Sequence, residues 1–418
     1  MRRIAKPAGL WIAGGLLFAI LETAMIWVRI HSAPLLWIWL LWTLAAAGLS
    51  AAAVAPGRAA WLNVAAVLAA LALTEGLLWM GLKGNPYRLA AGTVMGGTFV
   101  VPGYFVLMPS PGIGYRPRPS ASATSTRVVD GRLVYAVRYS VDADGLRVSP
   151  PTVEAPWACF LMFGDSMAWG EGLDDEETAA YQLGLSSGGQ VRARNFAFTG
   201  YSAHQMLWLV DSGAVRLKAH CDPRRPVAAV YQTLPNNVAR VAGLEGWDDY
   251  GPRYRLAGNG RLSYAGGFDR GQSILNDRLF VPQALALQLS RSLVYARVLG
   301  RLRPVNDFDL LRFSIVVREA AAGLRRLYPR LTFLTIVWPD LNDPPGVRAK
   351  RVDEVVAALR RQGVPTVTIE DLQPGFGASP LPFVIPGDGH PNALMQRRLA
   401  LALLARETAL AAPRAQAR

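Results

Sequence analysis

Three long apolar runs open the chain, and a different pattern follows them. The runs cover about 9–30, 35–55 and 59–82, and this part of the chain carries few charges. Each run has about the twenty residues that an α-helix needs to cross a hydrocarbon core. The first run is too long for the core of a signal peptide. The pattern therefore predicts a transmembrane region of three helices within residues 1–88.

Lysine and arginine residues beside the runs number four on one side of the membrane and three on the other. By the positive-inside rule this favours a cytoplasmic amino terminus. The two sets are Arg2, Arg3, Lys6 and Arg58 against Arg29, Lys83 and Arg88. Three spans then place the remaining chain outside. The uncharged segment 89–109 is interpreted as interfacial because it contains several glycines and prolines; if it spans, the remaining chain is cytoplasmic. Glu22 and Glu75 lie within runs and are either functional carboxylates or neutral, hydrogen-bonded groups.

Residues 89–150 form a connector with β signals. Its segment 111–119 is rich in proline and glycine, which indicates a linker or an extended arm. Asp130-Gly131 stands between alternating apolar and polar residues and predicts a hairpin. We interpret this connector as a β appendage that supports the following domain on the membrane.

Residues 151–418 alternate short apolar segments with helical ones. Strands are predicted at about 159–163, 191–196, 227–234, 331–338 and 366–369. Helices are predicted to end near 185, 215 and 411 and to cover about 281–300, 307–328 and 346–362. Such alternation predicts an α/β domain with a doubly wound parallel sheet between two layers of helices. Residues 243–272 predict an inserted hairpin or lid.

Composition narrows the function classes. The net charge of +14 is spread along the chain without a basic stripe, so nucleic-acid binding is not expected. The two cysteines have no metal-ligand spacing, and no metal or cofactor is predicted. Cys159 is interpreted as a buried thiol, with a Cys159–Cys221 disulfide as the alternative for an extracytoplasmic domain.

Candidate chemistry lies where predicted strands end. Gly164-Asp165-Ser166 follows the first strand, where a tight turn would expose the serine hydroxyl at the carboxyl edge of the sheet. Of the four histidines, only His390 lies in a loop at such an edge. Asp388 precedes it by two residues and can reach its Nδ1. The structural alternatives are a helix-capping serine and an ordinary turn before a helix.

Four segments, in order, resemble the blocks of the SGNH (GDSL-type) hydrolase superfamily over about 155–410. They are Gly164-Asp165-Ser166, Asn195 with Gly200, Asn236, and Asp388 with His390. Two positions depart from the usual pattern. Asn237 stands where the third block usually has an acid, and a single residue separates Asp388 from His390. The apolar amino terminus and the arm after it also look like membrane-anchored bacterial members.

The resemblance implies a flavodoxin-like fold and a role for each matched residue. Ser166 would be the nucleophile, His390 the general base and Asp388 the group that orients it. The oxyanion would be held by the backbone N–H groups of Ser166 and Gly200 and by the Asn236 amide.

The sequence as a whole predicts a membrane-anchored serine esterase that removes acyl groups, chiefly O-acetyl, from an envelope glycan or lipid. Its location would be the bacterial inner membrane, multi-pass, with a periplasmic domain. One alternative is an O-acyltransferase that uses the same three residues. Another is an inactive domain that binds glycan or serves as a scaffold. The oligomeric state is left open.

Overall fold

The computed structural model describes residue 41 and residues 43–47, 58–81, 93–94, 98–100, 105–108, 112–129, 132–245, 248, 250–257, 259–268 and 305–411. The helix α1 (Arg58–Gly81) belongs to one compact unit, and the elements from residue 93 onward belong to another. The predicted span 59–82 falls on α1. The span 9–30 lies outside the described residues, as does 35–55 apart from 41 and 43–47, which are helical. Among the helices described, none combines the length and the apolar character needed to cross a membrane.

Two small antiparallel sheets form the connector. Its strands are β1 (Thr93–Val94), β2 (Thr98–Val100), β3 (Phe105–Met108), β4 (Gly114–Pro117), β5 (Ser122–Val129) and β6 (Arg132–Ser140). One sheet has the order β1-β2-β5-β6, and β3 pairs with β4. The predicted hairpin is confirmed as β5–β6, although its turn, 130–131, lies outside the described residues. A register shift opposite Arg127 and Val128 leaves Val134 as an extra residue in β6, which marks a bulge in that strand.

The domain that follows alternates strands and helices as predicted. Its elements are β7 (Ala158–Phe163), α2 (Ser166–Trp169), α3 (Ala179–Ser186), β8 (Val191–Asn195), α4 (Ala203–Asp211), α5 (Ala214–Lys218), β9 (Val227–Thr233), α6 (Asn237–Val241), β10 (Pro252–Leu256), β11 (Leu262–Gly267), α7 (Asp307–Leu327), β12 (Leu331–Val337), α8 (Pro345–Arg361), β13 (Thr366–Thr368), α9 (Ile369–Leu372) and α10 (Ala393–Ala411). Short 3₁₀ turns cover Asp175–Glu177 and Leu381–Phe383.

The five parallel strands lie in the order β13-β12-β9-β7-β8. Numbered along the domain, this is the 2-1-3-4-5 order of flavodoxin-like folds, which confirms the predicted fold. The β7–β8 crossover runs in the opposite direction to the later ones. Right-handed crossovers of opposite direction place their helices on opposite faces of the sheet. Strand β7 is fully buried because helices cover both faces.

The predicted strands are confirmed to within about two residues at each end. The helix predicted up to residue 215 is divided into α4 and α5 by Gly213, which has a φ of +77°. The inserted hairpin is confirmed as β10 and β11, which pair antiparallel. The predicted helix 281–300 lies outside the described residues.

One cysteine interpretation is wrong. Cys159 is not a free buried thiol but forms a disulfide with Cys221, with the two Cα atoms 5.8 Å apart. Cys159 lies near the start of β7, and Cys221 lies in the loop that leads to β9. Because β7 and β9 are neighbours in the sheet, this loop brings the second cysteine to the amino edge, opposite the candidate site.

Candidate active site

The turn after β7 admits few residue types. Gly164 has a φ of +145°, and a Cβ atom there would lie 2.6 Å from the backbone oxygen of Gln232. Asp165 caps α2 by accepting a hydrogen bond from the Met167 N–H at 3.0 Å. Ser166 is therefore the first residue of a helix, where backbone N–H groups lack intrahelical acceptors. The serine hydroxyl and an available N–H group lie together at the carboxyl edge of the sheet.

Hydrogen bonds connect the side chains of Ser166, His390 and Asp388 in that order. The Nε2 atom of His390 lies 2.8 Å from the Ser166 Oγ, and its Nδ1 is hydrogen-bonded to the Asp388 Oδ1. The same oxygen accepts a bond from the His390 backbone N–H at 3.2 Å. Gly389, with a φ of +92°, turns the chain tightly enough for both bonds. The short spacing between Asp388 and His390 thus keeps the pair together.

A fourth side chain, that of Arg127, reaches this group from the connector. The Nε of Arg127, on β5, lies 2.8 Å from the Asp388 Oδ2. The Asp388 side chain is fully buried, and that of Arg127 is 18% exposed. Across the hairpin, Arg127 pairs with Tyr135 of β6. The interpretation of the connector as a mere support is therefore incomplete, because Arg127 on its inner face contacts the loop that carries Asp388 and His390.

Further contacts fasten the hairpin to the domain. The Tyr139 hydroxyl accepts a hydrogen bond from the Gly172 N–H at 2.8 Å. Tyr135 packs against Gly172 so closely that a Cβ atom there would lie 2.9 Å from its ring. On the next strand residues, the N–H groups of Arg138 and Ser140 donate to carboxylates of the domain. These contacts therefore hold the hairpin against residues 172–175, the segment that follows α2.

The charges around His390 favour its protonated form. Burial opposes that charge, but the hydrogen bond to Asp388 and the negative charges of Glu171, Asp388 and Asp165 outweigh it and raise the pKa of His390 to about 9. For Asp388, burial also opposes the charge, while His390 and Arg127 hold its pKa below the usual value. The pair is therefore an ionised carboxylate beside a strongly basic imidazole.

Glu171 is a second carboxylate within this charged group. It is buried and accepts a hydrogen bond from the Thr199 hydroxyl at 2.8 Å. Burial raises its pKa, and the His390 charge and the Thr199 bond act in the opposite direction. The sequence analysis did not identify Glu171. Its place between two glycines directly after the serine helix was a signal that the chain bends there toward the site.

The second predicted block lies beside the serine turn. The Asn195 amide donates to the Ala168 backbone oxygen at 2.9 Å, and its oxygen accepts from the Ala197 N–H. These bonds tie the loop after β8 to α2. Gly200, at a φ of +82°, ends this loop. Tyr115 of the connector braces the same loop through a hydrogen bond from its hydroxyl to the Thr199 oxygen at 2.8 Å.

The third block places Asn236 at the end of β9, at the start of α6. Its amide donates to the Asp340 carboxylate over a long 3.4 Å. Asn237, at the usually acidic position, is buried and donates to the Thr233 hydroxyl at 3.1 Å, so it stabilises the turn. Arg240 of the same helix lies 3.1 Å from Asp165. The roles of Gly200 and Asn236 toward an oxyanion remain predictions.

Arg147 stabilises the carboxyl end of α2, the helix that begins at Ser166. It is fully buried and donates to the backbone oxygens of Trp169, Gly170 and Leu173 at 2.5–2.8 Å. Its Nε also lies 3.0 Å from Asp175. Since the last carbonyls of a helix lack intrahelical partners, this guanidinium satisfies the end of α2. Asp175 therefore binds Arg147, whereas Asp174 is the N-cap of the following 3₁₀ turn.

No protein-family model and no curated protein matches the chain. Solved structures similar to it include a lipolytic protein of the G-D-S-L family from Desulfitobacterium hafniense, with 8% identity over 59% of this chain and 98% of that one and a TM-score of 0.34. A family two carbohydrate esterase from Clostridium thermocellum has 14% identity over 63% and 67% and a TM-score of 0.32. An esterase from Pseudoalteromonas has 12% identity over 61% and 99% and a TM-score of 0.32. At these scores the likeness bears on neither activity nor substrate.

Proposed function

We propose that this protein is a serine esterase of the SGNH type. The observation that carries the proposal is the continuous arrangement from the Ser166 hydroxyl through His390 to the buried carboxylate of Asp388. Ester hydrolysis by serine uses such an arrangement of a nucleophile, a base that takes its proton and an acid that orients the base. The 20% exposure of the His390 side chain leaves this pair within reach of a substrate.

The proposed reaction has two halves. The Ser166 Oγ attacks the acyl carbonyl carbon while the His390 Nε2 takes its proton, and the carbonyl oxygen becomes an oxyanion. The N–H groups of Ser166 and Gly200 and the Asn236 amide would stabilise this charge. The intermediate collapses as the leaving alcohol takes the proton from His390. Water then attacks the acyl-serine by the same steps and releases a carboxylic acid.

We assign the substrate to acyl esters, chiefly O-acetyl esters, of an envelope glycan or lipid outside the cytoplasm. The Cys159–Cys221 disulfide supports this location, because disulfides persist in oxidising compartments. Membrane attachment is proposed from the apolar amino-terminal region of the sequence, residues 1–88. A reporter fused at residue 150 tests the location, and an inactive periplasmic reporter would refute it.

Labelling by a fluorophosphonate probe and hydrolysis of p-nitrophenyl acetate test the chemistry. The full chain is expected to react with the probe and to hydrolyse the ester, and Ser166→Ala is expected to lose both activities. Ser212→Ala is a matched control, since this serine ends α4 and its hydroxyl bonds only a neighbouring backbone oxygen among the described contacts. Unchanged hydrolysis by Ser166→Ala would refute the site, and absence of both activities in the wild type would refute the function.

A further inference from the structure

Asp388 has two carboxylate oxygens, and they face different elements. The Oδ1 atom binds His390, as described above, whereas the Oδ2 atom faces the connector and lies 2.8 Å from the Arg127 Nε. A carboxylate fixed through only one oxygen can rotate about its side-chain bonds. The Arg127 guanidinium lies close enough to attract the Oδ2 atom but is not aligned for a hydrogen bond. The attraction between these opposite buried charges restricts that rotation and keeps the Oδ1 atom toward His390.

The conformation of the β5–β6 hairpin places the Arg127 guanidinium beside Asp388. Arg127 shares a face of β5 with the buried Ser125, since alternate residues of a strand point the same way. A bulge lies opposite the step from Arg127 to Val128, with Val134 of β6 as its extra residue, and bulges near active sites redirect the side chains around them. Val134 of β6 lies beside the loop that carries Asp388 and His390, since a Cβ atom built on Gly387 would lie 3.8 Å from its side chain.

We propose that Arg127 is a positioning residue for the reaction: by holding the Oδ2 atom of Asp388, it aligns the Oδ1 atom with the His390 imidazole. This inference rests on the proposed function and deepens it. The proposed catalytic arrangement then has four side chains. One of them, Arg127, comes from the connector that precedes the α/β domain. The sequence resemblance covers about 155–410 and therefore does not include this residue.

The first experiment compares Arg127→Met, Arg127→Lys and Arg138→Met in the full chain. Arg138 is a matched control because it lies on the same hairpin with its side chain on Ser122. A displacement of about 1 Å in a catalytic group costs about 100-fold. We expect Arg127→Met to lower kcat about 10- to 100-fold with little change in KM, Arg127→Lys to restore most of it, and Arg138→Met to be neutral.

A double-mutant cycle with Asp388→Asn separates positioning from a general effect on folding. If Arg127 acts through Asp388, Arg127→Met has little further effect once the carboxylate is gone. The rate of fluorophosphonate labelling provides a sensitive readout in the slow variants. Additive losses, or equal losses in Arg127→Met and Arg138→Met, would overturn the proposal.

A readout that needs no turnover keeps the two proposals distinguishable. The His390 Nδ1 proton shared with Asp388 is expected at the low-field end of the proton NMR spectrum, and its loss in His390→Gln assigns it. It should shift or vanish in Arg127→Met and persist in Arg127→Lys and Arg138→Met. An unchanged signal in Arg127→Met refutes the positioning role even if the wild type proves inactive, in which case the proposed function fails separately.

Discussion

The titration of His390 sets the pH at which this site can work. A general base must be neutral to take the serine proton, and the pKa of His390 is raised to about 9. Two units below that pKa only about 1% of the imidazole is neutral, and at the pKa about half is. We therefore expect kcat/KM for p-nitrophenyl acetate to rise about 50-fold between pH 7 and pH 9. The Ser166→Ala variant supplies the background rate at each pH.

Removing one of the negative charges should move this profile in a defined direction. Glu171→Gln keeps the shape and removes a charge that favours protonated His390. Loss of such a charge lowers a pKa by about one unit, so the midpoint should move toward acid. At pH 7 the variant would then have about ten times more neutral base than the wild type. The substitution would raise activity at neutral pH and change little at pH 9.

Glu176→Gln is the matched control, because Glu176 is exposed on the same segment of the chain. It should leave the midpoint where it is. A wild-type midpoint near 6.5, the ordinary value of histidine, would refute the reasoning about charges around His390. A shift of the Glu171→Gln midpoint toward alkali would refute the role given to Glu171.

Two further substitutions test the arrangement. Asp388→Asn should lower kcat about 10⁴-fold with little change in fold, because the amide stabilises the wrong imidazole tautomer; steady-state kinetics and circular dichroism check it, and a loss under tenfold would contradict the orientation shown by the Asp388–His390 bond. Arg147→Met should lower the free energy of unfolding by about 3–5 kcal/mol, because it removes the charge that balances the buried Asp175 and the donor to three carbonyl oxygens. Urea unfolding measures this loss, and Arg138→Met, expected to cost under about 1 kcal/mol as an exposed contact, is its control.

The core of the fold could be predicted because its signals are local. Buried parallel strands are short apolar segments, and glycine or polar residues mark where they end. Ser166 and His390 could be predicted for the same reason, since each follows the end of a strand. The disulfide was kept only as an alternative, because the meeting of Cys159 and Cys221 depends on which strands are neighbours.

The part of the site that lies in the connector could not be read from the sequence. Arg127 stands in a strand of polar and apolar residues that resembles any exposed hairpin. Its contact joins residues 127 and 388, and no periodicity links positions so far apart. Glu171 and Arg147 were missed for a related reason, because each follows a turn whose direction is fixed only by packing. The sequence thus indicates which chemistry the domain carries but not what holds it in place.

The distance along the chain between Ser166 and His390 has a consequence for the newly made protein. The two residues are separated by 224 positions. At about 5–20 residues per second, the ribosome would finish His390 roughly 10–45 s after Ser166. During that interval the nascent polypeptide carries a serine without its base, and Arg127 without its carboxylate. A chain that lacks His390, whether unfinished or clipped, would therefore be unable to attack esters, and reactivity would arise only after His390 has been made.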